Sequence, residues 1–161
     1  MSEIQSRRFV GLLDLECNPS ELAVSAGEDV RSICEMSLGV APKVIVEGHQ
    51  TSFPYFSTHI HYILCELLKN SATATVKHHG MNKSEKDLPP ITVTIANGQE
   101  DVTIRVSGHG GGIPRSSIKK VFKYSYTTAD SASPLAGYGT HLVDAEPSRL
   151  SDGCLTAVLV I

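Results

Sequence analysis

A stretch of helical periodicity passes, through a short polar segment, into a β-branched hairpin that ends in glycines. This is the feature that most restricts the folds open to the chain. Ile60, Ile63, Leu64, Leu67 and Leu68 recur at three- and four-residue spacing. That is the stripe of an amphipathic helix, capped by Ser57 or Thr58 and running to about His78. Residues 91–95 and 102–106 alternate and are rich in β-branched side chains, and Asn97-Gly98-Gln99-Glu100 joins them as a hairpin. The second arm runs into Gly108-His109-Gly110-Gly111-Gly112. This order of elements predicts an α/β architecture, an α+β sandwich of helices on a largely antiparallel sheet.

The flanks extend the pattern. Residues 9–15 are an apolar run of strand length. Asn18-Pro19-Ser20-Glu21 reads as a helix start, with a cap, a proline in the first turn and an acid behind it. Leu22, Val30, Ile33 and Cys34 carry that helix to about Leu38, where Gly39 and Pro42 end it. Residues 43–46 read as a short strand, 47–51 as a polar turn and 81–90 as a polar linker. Beyond the glycines, 116–122 read as a short helix, 123–134 as a Ser/Thr/Tyr-rich loop and 154–161 as a closing strand.

A chain of 161 residues without internal repeats reads as one domain with one core. Its net charge of −3 gives no reason to expect nucleic acid or a membrane surface as partner. No apolar run approaches the ~20 residues that span a bilayer. The four cysteines, Cys17, Cys34, Cys65 and Cys154, form no Cys-x-x-Cys pair, which argues against a structural zinc or thioredoxin-type motif. Cys34 and Cys65 fall in amphipathic stretches and read as reduced core thiols. Residues 1–8 are too short for a transit peptide.

Three segments carry chemistry. Glu66, Lys69 and Asn70 stand at i, i+3 and i+4 and share a helix face, while Leu64, Leu67 and Leu68 turn toward the core. The amide oxygen of Asn70 suits Mg2+, a hard ion, and the Glu66 carboxylate can take a proton from an attacking hydroxyl. Taken alone, a Glu/Lys helix face is more commonly a solvated surface. In the second segment, Gly108, Gly110 and Gly112 let backbone approach a ligand closely, or simply make a turn. No Gly-Lys-Ser/Thr follows, so this is not a Walker loop, and the spacing is not that of a dinucleotide fingerprint. The third segment, Gly137-Tyr138-Gly139-Thr140-His141-Leu142, leads into a helix start whose amides can hold phosphates. A lone Gly-x-Gly is weak; the three segments in this order are stronger than any one. His59 and His61, two apart on different helix faces, make a poor metal pair. No Gly-x-Ser-x-Gly elbow, His-Arg-Asp or Asp-Phe-Gly occurs.

Matching stretches run through nearly the whole chain. They include Cys17-Asn18-Pro19, Thr58-His59-Ile60-His61, Glu66-Leu67-Leu68-Lys69-Asn70-Ser71, Gly110-Gly111-Gly112-Ile113-Pro114, Tyr126-Thr127-Thr128-Ala129 and Ala136-Gly137-Tyr138-Gly139. On these the chain resembles the nucleotide-binding half of the pyruvate dehydrogenase kinases and branched-chain keto acid dehydrogenase kinases, members of the GHKL ATPases. The resemblance implies a Bergerat-type ATP-binding fold, a mixed sheet with helices on one face. It implies ATP and Mg2+ as cofactors, with Glu66 as general base for a substrate serine, Asn70 on Mg2+ and Lys69 beside the phosphates. Thr127 and Thr128 would approach ATP, and Gly137, Tyr138, Gly139, Thr140, His141 and Leu142 would form the phosphate lid. The implied substrate is a serine of the decarboxylase component of a 2-oxo acid dehydrogenase complex, switched off by phosphorylation in the mitochondrial matrix. The lipoyl carrier and a second copy of the chain are the other implied partners. The family's upstream helical domain, which docks that carrier, is absent from these residues.

The chain also departs from the family. Gly108 stands where the family has an Asp that binds the adenine amine, a loss worth about 1–3 kcal/mol. Thr73 replaces an Arg, His141 replaces a glycine of the lid, and the loop at 130–134 is shorter. Two readings therefore stand side by side. One is an active kinase-type domain. The other is a degenerate domain that acts by dimerising or binding partners.

Overall fold

The computed structural model describes residues 8–80, 82–112 and 155–161. The chain order is β1 (Phe9–Val10), β2 (Leu13–Cys17), α1 (Pro19–Leu38), β3 (Val44–Gly48), β4 (Phe53–Tyr55), α2 (Ser57–His79), β5 (Ile91–Asn97), β6 (Val102–Gly108) and β7 (Leu155–Val160). A single 3-10 turn, Glu85–Asp87, lies in the linker after α2. One antiparallel sheet has the order β1-β2-β4 and the other β3-β5-β6-β7. In the second, β3 runs parallel to β5, and the β5–β6 and β6–β7 pairs are antiparallel. This is the mixed, mostly antiparallel α/β arrangement expected from the sequence.

The strand alternation decides the core. Ile91, Val93 and Ile95 of β5 and Val102, Ile104 and Val106 of β6 are buried, and every second residue is not. The register places Val93 opposite Val106 and Ile95 opposite Ile104, so one face of the sheet is apolar. Ala23, Ala26 and Val30 of α1 and Ile60, Leu64 and Leu68 of α2 join the same core. Truncating Leu64 or Leu68 to Ala would cost about 2–5 kcal/mol, because each is fully enclosed. At its start α1 has the predicted cap: Asn18 Oδ1 accepts from the Ser20 and Glu21 amides at 3.0 and 3.4 Å, with Pro19 in the first turn. Its last turn closes on Gly39 at φ 76°, a left-handed position that glycine adopts without strain.

Several expectations are corrected. Residues 9–15 are not one strand. The chain turns at Gly11-Leu12, and β1 folds back on β2 with Phe9 opposite Asp14 and Val10 opposite Leu13. Asp14 turns inward to meet Arg8, while Val10 and Leu12 stay exposed. Neither Ser57 nor Thr58 caps α2. Phe56 occupies that position, with no side-chain cap bond. β4 was not anticipated, because Phe53-Pro54-Tyr55 is short and holds a proline; it survives as the edge of its sheet. Residues 47–48 extend β3 rather than turning, and β5 and β6 are each two residues longer than predicted. Gly108 thus ends β6 instead of opening a loop. Leu67 and Cys65 only pack against the core from its margin, whereas Cys17 and Cys34 are fully enclosed. The predicted helix at 116–122 and loop at 123–134 lie outside the described residues.

Candidate functional site

α2 carries the polar trio on the face that its leucines leave free. Glu66 and Lys69, three residues apart, form an ion pair of 2.6 Å with side chains only 14% and 11% exposed. The pair uses Glu66 Oε1. The other oxygen, Oε2, is buried with no hydrogen-bond partner among the described residues. A buried acceptor left unmatched is costly, so such an atom points to a group that arrives from outside. One residue beyond Lys69, Asn70 is exposed, its amide accessible to a ligand; Thr73, a further turn along, is half-buried. Cys65, beside Glu66, is partly buried. Burial and the nearby Asp29 and Glu66 carboxylates push its thiol up, the opposite of what an activated nucleophile needs.

The glycine segment lies along the same helix. A Cβ at Gly108 would stand 3.0 Å from the Ser71 Cβ and 3.3 Å from its Oγ. One at Gly110 would collide with the Ala74 side chain, and one at Gly111 would come within 2.6 Å of His78 Nδ1. Ser71, Ala74 and His78 follow one another at three- and four-residue steps, so the end of β6 descends α2 turn by turn. His79 Nε2 donates to the His109 carbonyl at 3.0 Å and ties the segment to the helix C-terminus. The glycines are therefore required first by close approach of backbone to helix, whatever they bind. Gly112, at φ 73°, meets nothing within 4 Å among the described residues.

The structure thus brings Glu66, Lys69, Asn70, Thr73, Gly108 and Gly110 onto or against one helix, whereas Gly112 stands clear of it. Thr127, Thr128, Gly137, Tyr138, Gly139, Thr140, His141 and Leu142 lie outside the described residues. The donor set present fits Mg-ATP on this side: a carboxylate oxygen unmatched among the described residues, an exposed amide and a glycine-rich backbone segment whose one side chain is that of His109. Sequence reasoning missed the helix floor, Ser71, Ala74 and His78. Its only signal was the run of small residues after Asn70.

Comparison with known proteins matches residues 57–157 to the histidine kinase-, DNA gyrase B- and HSP90-like ATPase family. The chain is 38% identical over 147 residues to the mitochondrial pyruvate dehydrogenase (acetyl-transferring) kinase of Drosophila melanogaster, covering 82% of this chain and 35% of that protein. It is 43% identical over 121 residues to the Arabidopsis thaliana enzyme of the same name, covering 74% and 32%. To isozyme 3 of Mus musculus it is 34% identical, covering 82% and 35%. The chain spans about a third of the length of the curated relatives it matches. The matched segment begins at the first residue of α2, ends within β7 and contains every site residue named above, and the chain belongs to the histidine kinase-, DNA gyrase B- and HSP90-like (GHKL) ATPase family.

Proposed function

We propose that this chain is the ATP-binding domain of a mitochondrial protein-serine kinase of the pyruvate dehydrogenase kinase type, acting on a 2-oxo acid dehydrogenase complex and inactivating it. The observation that carries this reading is the Glu66 carboxylate. Lys69 orients it through Oε1, and its second oxygen has no partner among the described residues, as a base waiting for a hydroxyl proton needs. Asn70 is the residue that would hold Mg2+, through its amide oxygen. Bound Mg-ATP supplies the phosphoryl group and the charge that stabilises its transfer. The protein's share is position: Glu66 takes the serine proton at Oε2, Lys69 holds the carboxylate in place through Oε1, and the glycines let the backbone come close to the helix. By the same reading the decarboxylase component is the substrate, the lipoyl carrier the docking partner and the homodimer the assembly, in the mitochondrial matrix.

A second reading has its own observation. Gly108 offers no carboxylate for adenine, and Ser71 crowds the space where one would start. On that reading the domain binds nucleotide weakly and works through its partners.

Calorimetric titration with Mg-ATP decides between them, using the parent, Asn70→Ala, and Gly108→Asp combined with Ser71→Gly. Micromolar binding by the parent that Asn70→Ala abolishes supports the kinase reading, which transfer of labelled phosphate to a decarboxylase serine peptide then completes. A silent parent beside a binding double variant favours the degenerate domain. Silence from all three, in folded protein, sinks the nucleotide site.

A further inference from the structure

A separate cluster lies where α1 meets α2. His61 and Cys65 are one turn apart on α2 and so share a side of that helix. Asp29 reaches them from α1, and the ligand atoms of the three all lie within 4.8 Å of one another. His61 Nε2 stands 3.3 Å from Asp29 Oδ2 and 4.0 Å from Cys65 Sγ. Ser25 Oγ, one turn before Asp29, is 3.5 Å from the same nitrogen. The cluster is partly sheltered: His61 is 31% exposed and Asp29 58%.

We propose that Asp29, His61 and Cys65 form a binding site for a thiophilic divalent cation of the Zn2+ type, bridging α1 and α2. Donors about 2.0–2.3 Å from one tetrahedral ion lie about 3.3–3.6 Å apart. The Asp29–His61 separation already has that value. The Cys65 sulfur, 4.0 Å from the same nitrogen and within 4.8 Å of the carboxylate oxygen, has to move in by up to about an ångström, a shift that a rotation about its Cα–Cβ bond can supply. One sulfur, one imidazole nitrogen and one carboxylate oxygen suit Zn2+ or its probe Co2+ and disfavour Mg2+ and Ca2+, which take oxygen donors. Three protein donors leave the fourth position to water. The site is distinct from the Asn70 amide, which is exposed on another face of α2. Because Cys65 precedes Glu66, the ion would clamp the turn of α2 that carries the proposed base against α1.

The test uses the full chain with its thiols reduced. Co2+ is added first and followed by absorption; Zn2+ is then titrated by calorimetry. The expected result is one equivalent bound, with a thiolate-to-cobalt charge-transfer band and the visible bands of a tetrahedral ion. Cys65→Ser removes the charge-transfer band, and Cys65→Ser and His61→Gln each weaken Zn2+ by at least about 10–100-fold, the range that loss of even an outer partner produces. Cys154→Ser leaves band and affinity unchanged, which separates this site from another thiol. Thermal melts without metal establish that the variants are folded, and Zn2+ raises the melting temperature of the parent but not of Cys65→Ser. Absence of a saturable equivalent in the parent, a band that persists in Cys65→Ser, affinity unchanged in His61→Gln, or a band lost in Cys154→Ser would each overturn the proposal.

Discussion

The Lys69 ammonium grips one oxygen of Glu66 at 2.6 Å and leaves the other buried and, among the described residues, unmatched. On the proposed function, that free oxygen is where the substrate proton goes. Glu66→Gln keeps the shape and removes the base. We expect phosphoryl transfer to fall by about 10²–10⁴-fold in protein that melting curves show to be folded, with some loss of stability because the sheltered Lys69 ammonium loses its charged partner. Unchanged transfer, measured with labelled ATP, would remove Glu66 from the chemistry.

Lys69→Met retains the stem and deletes the charge. A carboxylate that is only 14% exposed then loses its cation. The expected destabilisation is about 1.5–3 kcal/mol by urea titration, the value of hydrogen bonds to charged groups. A loss near zero would show that Glu66 finds solvent or another donor.

Gly110→Ala tests the descent of β6 along α2. Its new Cβ meets Ala74, which cannot yield without moving the helix. Overpacking of this kind costs about 1–3 kcal/mol, and the paired change Ala74→Gly should recover part of it. Thermal melts of the single and double variants check the prediction; equal melting of parent and Gly110→Ala would mean the segment lifts off freely.

Acid stability should depend on Asp14. Its bond to Arg8 at 2.9 Å, supported by the Glu16 amide at 3.1 Å, holds this carboxyl below the ordinary carboxylate range despite its burial. A carboxylate so lowered contributes stability that is fully present above the unfolded value of about 3.9 and is lost as pH falls through the lower folded value. Asp14→Asn should therefore be less stable than the parent near pH 7, and the gap should narrow below about pH 4. Urea midpoints across pH 3–7 report it. A gap constant with pH would assign Asp14 a packing role only.

Asn18→Ala removes the acceptor for two amides at the start of α1, and a contact with Gln50 at 3.2 Å. The expected cost is about 0.5–2 kcal/mol, with Asn18→Asp largely restoring stability. Melting curves of both variants distinguish the cap from the Gln50 contact, since Asp cannot donate to it.

What the chain determined by itself is local. Apolar spacing placed both long helices, β-branched alternation placed the β5–β6 hairpin, and Asn18-Pro19 and Gly39 set the ends of α1, because each signal arises from backbone propensity or side chains a few residues apart. Glu66, Lys69 and Asn70 could be put on one face for the same reason. Tertiary structure decided the rest. The apolar run at 9–15 gave no sign of the turn at Gly11-Leu12, and the short, proline-bearing β4 exists only because β2 offers it a partner. The glycines of the second segment read as a ligand cradle in sequence, yet Ser71, Ala74 and His78, some 35 residues earlier, dictate them by steric contact. His61 pairs with Cys65 and Asp29, not with His59, because helix packing brings residues from α1 within reach of one turn of α2. Contacts between residues far apart in the chain leave no period or motif in the sequence, and only the packed structure shows them.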